Sequence, residues 1–153
     1  MYSNILIPVN PDRLSLKAFK HAFTIAKSSN ATVWIVNASP KVFDDDEEVM
    51  LRISLDKWHE DENRAITHVR EQVMKLLNSP EMIEFVEGVK FEIIVIPAQS
   101  RDYKSILDFA RTHGSDLIVL GLVRQSPAWQ IIVGNFKEWI IHYAECPVLV
   151  IHD

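Results

Sequence analysis

The segment from Gly121 to Asn135, with the sequence GLVRQSPAWQIIVGN, contains the residue types that could bind a phosphate group. It follows an apolar run, precedes an amphipathic one, and has a second glycine at Gly134. Glycine lets the backbone approach an anion closely, and the N–H groups at a helix N-terminus attract negative charge. The chemistry that this pattern indicates is therefore noncovalent binding of a phosphate or another small anion.

Familiar catalytic and metal-binding patterns are missing from the sequence. The six histidines form no HExxH pair and no cluster with the single cysteine, Cys146, so no metal site is predicted. There is no G-x-S-x-G elbow, no G-x-x-x-x-G-K-[ST] phosphate loop and no G-x-G-x-x-G fingerprint. Cys146 precedes Pro147 and an apolar run, which favours a small core residue over a reactive thiol. We therefore predict no catalytic residue and no enzyme.

Composition and charge narrow the class of protein. The chain has 153 residues, 48% of them hydrophobic, and a formal net charge of −5, which favours one globular domain over residues 1–153. A mildly acidic chain without a basic cluster argues against a nucleic-acid partner. No apolar run approaches the roughly 18 residues that span a bilayer, and the start MYSNILIPVNPDR lacks the features of a signal peptide. We expect a cytoplasmic protein with no membrane partner, and a single cysteine suits that reducing compartment.

Strand and helix patterns alternate along the chain and would position the glycine-containing segment. Short apolar runs predict five strands: Ser3–Val9, Thr32–Val36, Lys90–Ile96, Asp116–Gly121 and Pro147–His152. Helical spacing predicts four helices, from an N-cap at Asp12 to near Asn30, from Arg64 to Leu77, from Tyr103 to a C-cap at Gly114, and from Phe136 to Tyr143. The alternation predicts an α/β fold of three layers, a doubly wound parallel sheet with helices on both faces. Ligands of such sheets bind beyond the carboxyl ends of the strands, where the strand order reverses.

Four stretches of the sequence resemble one known family. They are ILIPVN near the start, DLIVLG at Asp116, GN at the start of the last helix, and the closing CPVLVIHD. In this order and at this spacing they are similar to the universal stress protein family over essentially the whole chain. The resemblance implies a Rossmann-like sheet of the adenine nucleotide alpha hydrolase-like type. It also implies five strands in the order 3-2-1-4-5, with the reversal between strands one and four.

The resemblance also implies which positions would bind a nucleotide. The ATP-binding branch of the family has an acidic residue after strand one, then a glycine, two residues, a glycine, nine residues, and a glycine followed by Ser or Thr. The end of strand two lies near the adenine. The matching positions in this chain are Asn10, Gly121, Arg124, Gly134 and Asn135, with Asn37 and Ala38 at the end of strand two.

Three of these positions depart from the family's pattern. Arg124 restricts the backbone and fills space where a glycine would cradle phosphate, although its guanidinium could hold an anion instead. Asn10 lacks the anionic oxygen that would help to hold Mg²⁺, and beside Pro11 it suits an Asx turn. Asn135 lacks the hydroxyl but can still cap the helix that follows. The pattern is therefore a degenerate ATP site.

Three functions remain open from the sequence. The first is a non-enzymatic stress-response protein with weak or absent ATP binding and no cofactor. The second is an ATP-binding switch that uses Mg²⁺ and could hydrolyse ATP slowly, and the third is a small-molecule or anion-binding module that uses the same cleft. The resemblance implies a homodimer, and the last strand would supply its interface because an apolar edge strand invites pairing with a second copy. The residues of this predicted interface are Val148, Leu149, Val150 and Ile151.

Overall fold

The computed structural model describes residues 1–39, 55–97, 102–122 and 136–152. These residues form one five-stranded sheet with the order β3-β2-β1-β4-β5, and every strand pair is parallel. The strands are β1 (Asn4–Pro8), β2 (Thr32–Ser39), β3 (Lys90–Pro97), β4 (Leu117–Leu122) and β5 (Val148–His152). The predicted fold class and the implied strand order are confirmed, with the reversal between β1 and β4.

Helices cover both faces of the sheet. They are α1 (Leu16–Ser29), α2 (Leu55–Leu77), α3 (Ile83–Val86), α4 (Asp102–Thr112) and α5 (residues 136–143). Alternate residues of β1 point to opposite faces, so Ile5 and Ile7 pack against α1 and α2, while Leu6 packs against α4 and α5. The sheet is therefore the middle of three layers. No helix in the described part of the chain is both long enough and apolar enough to cross a lipid bilayer.

Several element boundaries differ from the predicted ones. Ser15, not Asp12, is the N-cap of α1, since its side-chain oxygen accepts a hydrogen bond from the Ala18 N–H at 3.2 Å. Helix α2 begins at Leu55 rather than at Arg64, and the short helix α3 was not predicted. The predicted ends are confirmed near Asn30, which closes α1 with a φ of 55°. They are also confirmed at Gly114, which follows α4 with a φ of 63°.

A carboxylate at the amino edge of the sheet fixes β4 against β1. Asp116 accepts hydrogen bonds from the backbone N–H of Ser3 at 2.8 Å and of Asn4 at 3.1 Å. Its own N–H donates to the Asn4 carbonyl at 2.9 Å. The pairing of these two strands continues through Ile5 opposite Leu117. This anchor sets the register of the two strands whose carboxyl ends diverge at the opposite edge.

Candidate functional site

A cavity of about 490 Å³ lies at the carboxyl edge of the sheet, where the strand order reverses; it is hereafter the switch-point cleft. The ends of β1, β2 and β4 form its floor, and α1, α2 and α5 contribute side chains to its walls. Apolar side chains from both core clusters reach it, Phe19 from one and Ile106 from the other. The cleft therefore lies where the rule for doubly wound sheets places a ligand.

The structure brings four of the seven predicted nucleotide-site residues to this cleft. Its lining includes Asn10, Asn37, Ala38 and Gly121. The other three, Arg124, Gly134 and Asn135, lie outside the described residues.

Asn10 forms the turn that leads into α1. Its side-chain Oδ1 accepts a hydrogen bond from the Asp12 N–H at 3.0 Å. Its backbone carbonyl accepts one from the Arg13 N–H, also at 3.0 Å. This is an Asx turn, the alternative to a ligand contact that the sequence left open at Asn10. The side-chain oxygen at the end of β1 is thus engaged by the backbone.

Asn37 and Ala38 lie within β2 rather than after it. The expected end of the strand at Val36 was too early, because β3 pairs with β2 residue by residue as far as Ser39 and Pro97. The Asn37 Nδ2 donates a hydrogen bond to the Val9 carbonyl at 2.9 Å, and only 9% of the residue is exposed. Asn37 therefore ties the ends of β1 and β2 together beneath the cleft.

Gly121 lies where the first turn of α1 crosses β4. A Cβ atom at this position would lie 2.5 Å from the Cβ of Ser15, 2.8 Å from its Oγ and 3.1 Å from the Cβ of Ala18. Such distances are shorter than carbon–carbon contact allows, so only glycine lets α1 pack this closely. The Gly121 carbonyl accepts a hydrogen bond from the Lys137 Nζ. Gly121 thus has a packing role that does not depend on a ligand.

Basic side chains outnumber carboxylates in the described lining of the cleft. Its described lining contains four titratable side chains: Asp12, Arg13, His68 and Lys137. The Asp12 Oδ1 lies 2.8 Å from the His68 Nε2, so the one carboxylate is shared with an imidazole. Helix α1 has no acidic residue in its first turn, and its N-terminus adds a partial positive charge.

The sequence reasoning missed all four of these groups as site residues, and it predicted Asp12 only as a helix cap. The sequence could have indicated Arg13 and Lys137. Arg13 follows strand one and Lys137 follows Asn135 by two residues, so both positions are expected at the carboxyl edge of the sheet. His68 carried no such signal, since it meets Asp12 across 56 residues of chain. No group of three or more His, Cys, Asp or Glu residues that could hold a metal ion occurs among the residues the structure describes.

A second cavity, of about 670 Å³, lies between α4 and α5. Tyr103, Trp139 and Tyr143 stack along it, with ring centroids 5.4 and 5.1 Å apart. Cys146 also lines it and is half-buried. Burial, and next the negative charge of Asp116, raise the pKa of the Cys146 thiol. A raised pKa lowers the thiolate fraction, as the prediction of a packed, unreactive cysteine requires.

Strand β5 is the edge of the sheet on the side of β4. Val148, Leu149 and Val150 are half-buried in the single chain. Ile151 is 7% exposed and packs into the core that α1 and α2 cover. The carbonyl of His152 accepts a hydrogen bond from the Lys17 Nζ at 2.9 Å. The half-buried valines and leucine are the side chains of this strand that a second copy could cover.

Comparisons of the sequence and of the fold with known proteins give the same family. The sequence model of the universal stress protein family matches residues 1–152. A universal stress protein of Methanocaldococcus jannaschii is 30% identical, over 99% of this chain and 82% of that protein. The fold is similar to that of a universal stress protein in complex with cAMP, with a TM-score of 0.65 and 18% identity, over 99% of this chain and 97% of the other. It is also similar to that of an Archaeoglobus fulgidus universal stress protein in complex with dAMP, with a TM-score of 0.56 and 19% identity, over 98% of each chain.

Proposed function

Because the chain belongs to the universal stress protein family, we propose that it is a non-enzymatic, homodimeric stress-response protein of the cytoplasm. Its switch-point cleft binds Mg²⁺-ATP weakly or not at all and accepts a smaller anion instead. The cleft has the volume of a small-molecule site, which is about 300–1,000 Å³. The two similar structures with cAMP and dAMP hold adenine nucleotides with one phosphate group each, which supports a ligand of that size.

The engagement of Asn10 is the observation that carries this proposal. The ATP-binding branch of the family has an acidic residue at this position, and carboxylate oxygens are the protein ligands that Mg²⁺ prefers. Here the position holds a neutral amide whose oxygen accepts the Asp12 N–H. Asp12 is the one acidic residue in the described lining, and its Oδ1 contacts His68. These contacts support weak or absent binding of a magnesium-bound triphosphate.

Calorimetric titration with ATP, with and without Mg²⁺, tests the proposal. We expect the wild-type protein to give no binding, or a dissociation constant in the millimolar range, and Mg²⁺ to bring no gain. Asn10→Asp should raise the affinity for Mg²⁺-ATP by roughly tenfold, because a charge-assisted contact is worth about 1.5–3 kcal/mol. Asn78→Asp makes the same change of charge at an exposed site after α2 and should leave the affinity unchanged.

Two results would count against this function. Micromolar binding of Mg²⁺-ATP by the wild-type protein would favour the nucleotide-dependent switch instead. Release of phosphate from ATP, measured over hours at a high protein concentration, would contradict the non-enzymatic assignment. Fractionation of native cells tests the cytoplasmic location, which the single cysteine supports.

Light scattering at micromolar concentration tests the homodimer. The proposal predicts twice the chain mass of 17.6 kDa, because the half-buried side chains of β5 would be covered by the same strand of a second copy. Val150→Lys places a charge in that interface and should give a monomeric mass. Val95→Lys, in the opposite edge strand β3, should keep the dimeric mass. A monomeric wild-type protein, or a Val150→Lys variant that remains dimeric, would exclude the β5 interface.

A further inference from the structure

The cavity between α4 and α5, hereafter the α4–α5 groove, is separate from the switch-point cleft. It encloses about 670 Å³, within the range of about 300–1,000 Å³ that small-molecule sites have. Its described lining comes from the two helices and from the chain that leads into β4 and β5, and it includes none of the described residues that line the cleft. A ligand of the groove would therefore not compete directly with a ligand of the cleft.

Three aromatic side chains form a column along the groove. Tyr103 of α4 stacks on Trp139 of α5 with the ring planes 13° apart, and Trp139 stacks on Tyr143 with the planes 6° apart. Tyr143 ends this column and is 51% exposed, although His142 packs against it edge to face. The face of an aromatic ring attracts both a second ring and a cation. The open surface of Tyr143 therefore suits a ligand with a ring, a positive charge, or both.

Negative charge gathers at the end of the groove that lies at the amino edge of the sheet. Both helices end there, α4 at Thr112 and α5 at residue 143, and the last carbonyls of a helix carry a partial negative charge. Glu145 lines this end, and its carboxylate has no hydrogen-bond or ion-pair partner in the described part of the chain. After burial, the charges of Asp116 and Glu145 raise the pKa of the Cys146 thiol here.

The basic side chains of the described lining, Lys104 and Arg111, do not cancel this charge. The Arg111 Nη2 donates a hydrogen bond to the Asp108 Oδ1 at 2.8 Å, so the charges of this pair offset each other. Lys104 lies in the first turn of α4, about 10 Å along the helix axis from Arg111 and toward the opposite end of the groove. The amino end of the groove therefore favours a cation.

One buried polar atom at this end also lacks a partner. The Oγ of Ser115 is buried without a hydrogen bond among the residues that the structure describes, and Ser115 lines the groove. Buried polar atoms are usually paired, in some cases with ordered water. A hydroxyl oxygen can accept a hydrogen bond, so the N–H of a bound amine, or a water molecule that the amine holds, would satisfy it.

We propose that the α4–α5 groove binds an organic cation that carries an aromatic ring, of the arylalkylamine class. The ring extends the aromatic column at Tyr143, and the ammonium group lies near Glu145 and the C-termini of the two helices. Such an amine is positively charged at neutral pH, as a lysine side chain is. The groove is thus a second ligand site, whose ligand has the opposite charge to the anion proposed for the cleft.

Titration calorimetry with tryptamine and indole-3-propionate tests this inference. The two probes share the indole ring and the ethylene chain, but the first ends in an ammonium group and the second in a carboxylate. We expect tryptamine to bind the wild-type protein at least about fivefold more tightly. The reason is that a cation gains up to about a factor of five from an aromatic ring and a similar factor from an exposed carboxylate.

Matched variants locate the binding. Glu145→Gln should weaken tryptamine by about two- to fivefold and should not weaken indole-3-propionate. Glu84→Gln removes an exposed carboxylate from α3, on the opposite face of the sheet, and should change neither affinity. Tyr143→Ala should weaken tryptamine by about three- to tenfold, because a ring contact is lost. Far-UV circular dichroism checks that every variant is folded.

Cys146 gives a readout that is confined to the groove, because it is the single cysteine of the chain and lines this cavity. Saturating tryptamine should slow the reaction of Cys146 with a thiol reagent. The same concentration should protect the thiol less in Tyr143→Ala, since the groove of that variant is less occupied.

Four results would overturn the inference. Indole-3-propionate that binds as tightly as tryptamine, or equal effects of Glu145→Gln and Glu84→Gln, would exclude a cation site at Glu145. Tryptamine that binds without protecting Cys146 would place the amine outside the groove. Absence of tryptamine binding at millimolar concentration would exclude the ligand class. These results leave the ATP titrations and the dimer mass of the proposed function untouched.

Discussion

The substitution Gly121→Ala should destabilise the protein through the contact between α1 and β4. The added Cβ would lie 2.5 Å from the Cβ of Ser15 and 2.8 Å from its Oγ. The Cβ of Ser15 is attached directly to the backbone and cannot rotate away, so the first turn of α1 has to shift. Overpacking of this kind costs about 1–3 kcal/mol of the free energy of unfolding.

Urea unfolding followed by far-UV circular dichroism measures this cost. Thermal unfolding gives a second measure, since for a chain of this length each kcal/mol of lost stability lowers the melting temperature by about 2–4 °C. A loss of about 2 kcal/mol would therefore lower it by about 4–8 °C. The slope of the unfolding free energy against urea concentration, the m-value, should not change, because the surface exposed on unfolding stays the same.

A second substitution, Ser15→Gly, shows whether the steric reasoning is right. It removes both Ser15 atoms nearest the added Cβ, and the replacement of a serine cap by glycine costs only a few tenths of a kcal/mol. In that background Gly121→Ala should cost about 1–2 kcal/mol less than in the wild-type protein, which is a coupling expected of residues in contact. An unchanged cost, or a Gly121→Ala variant as stable as the wild type, would refute the packing role. A loss of ligand affinity without any loss of stability would place Gly121 in the ligand site instead.

One further substitution tests the Asp116 anchor between β1 and β4, and one chemical reaction tests the environment of Cys146. Asp116→Ala should lower the free energy of unfolding by about 1–3 kcal/mol, because the backbone N–H groups of Ser3 and Asn4 lose their acceptor. The control Asp108→Ala removes an exposed ion pair with Arg111 and should lower it by less than about 1 kcal/mol. Equal losses in the two variants would contradict the anchoring role of Asp116. In the folded protein Cys146 should react with a thiol reagent more slowly than free cysteine at neutral pH, and its rate should rise at a higher pH, because burial raises its pKa. Unfolding in urea should bring the rate to that of free cysteine. A rate in the folded protein equal to that of free cysteine would contradict the packed thiol.

The strand pattern was predictable because burial on both faces imposes nearly continuous apolar runs. The β4 sequence LIVLGL has four buried residues in succession, and that run alone indicates a central strand. The position of the cleft followed from the alternation of elements, since the carboxyl ends of parallel strands share one edge. The strand order itself came from the resemblance, which supplied what the periodicity could not.

Three of the errors share one physical cause, which is that contacts between residues far apart in the sequence decide local structure. Helix α1 begins after Ser15, where its first turn packs on Gly121, more than 100 residues further along the chain, whereas the local sequence predicted a cap at Asp12. Strand β2 extends to Ser39 because β3 provides partners for its last residues. The site residue His68 was missed for the same reason, since its partner lies 56 residues away.

The hydrogen bond from Lys17 to the carbonyl of His152 connects two regions that have been treated separately. Lys17 lies in the first turn of α1, beside the cleft, whereas His152 ends the edge strand β5. If the cleft binds a ligand and β5 pairs with a second copy, as proposed, both events would involve residues that contact α1. By thermodynamic linkage, if a ligand changed the dimerisation constant by some factor, dimerisation would change the affinity for that ligand by the same factor. In such a protein the concentration of the chain itself would set how sensitively it responds to a ligand.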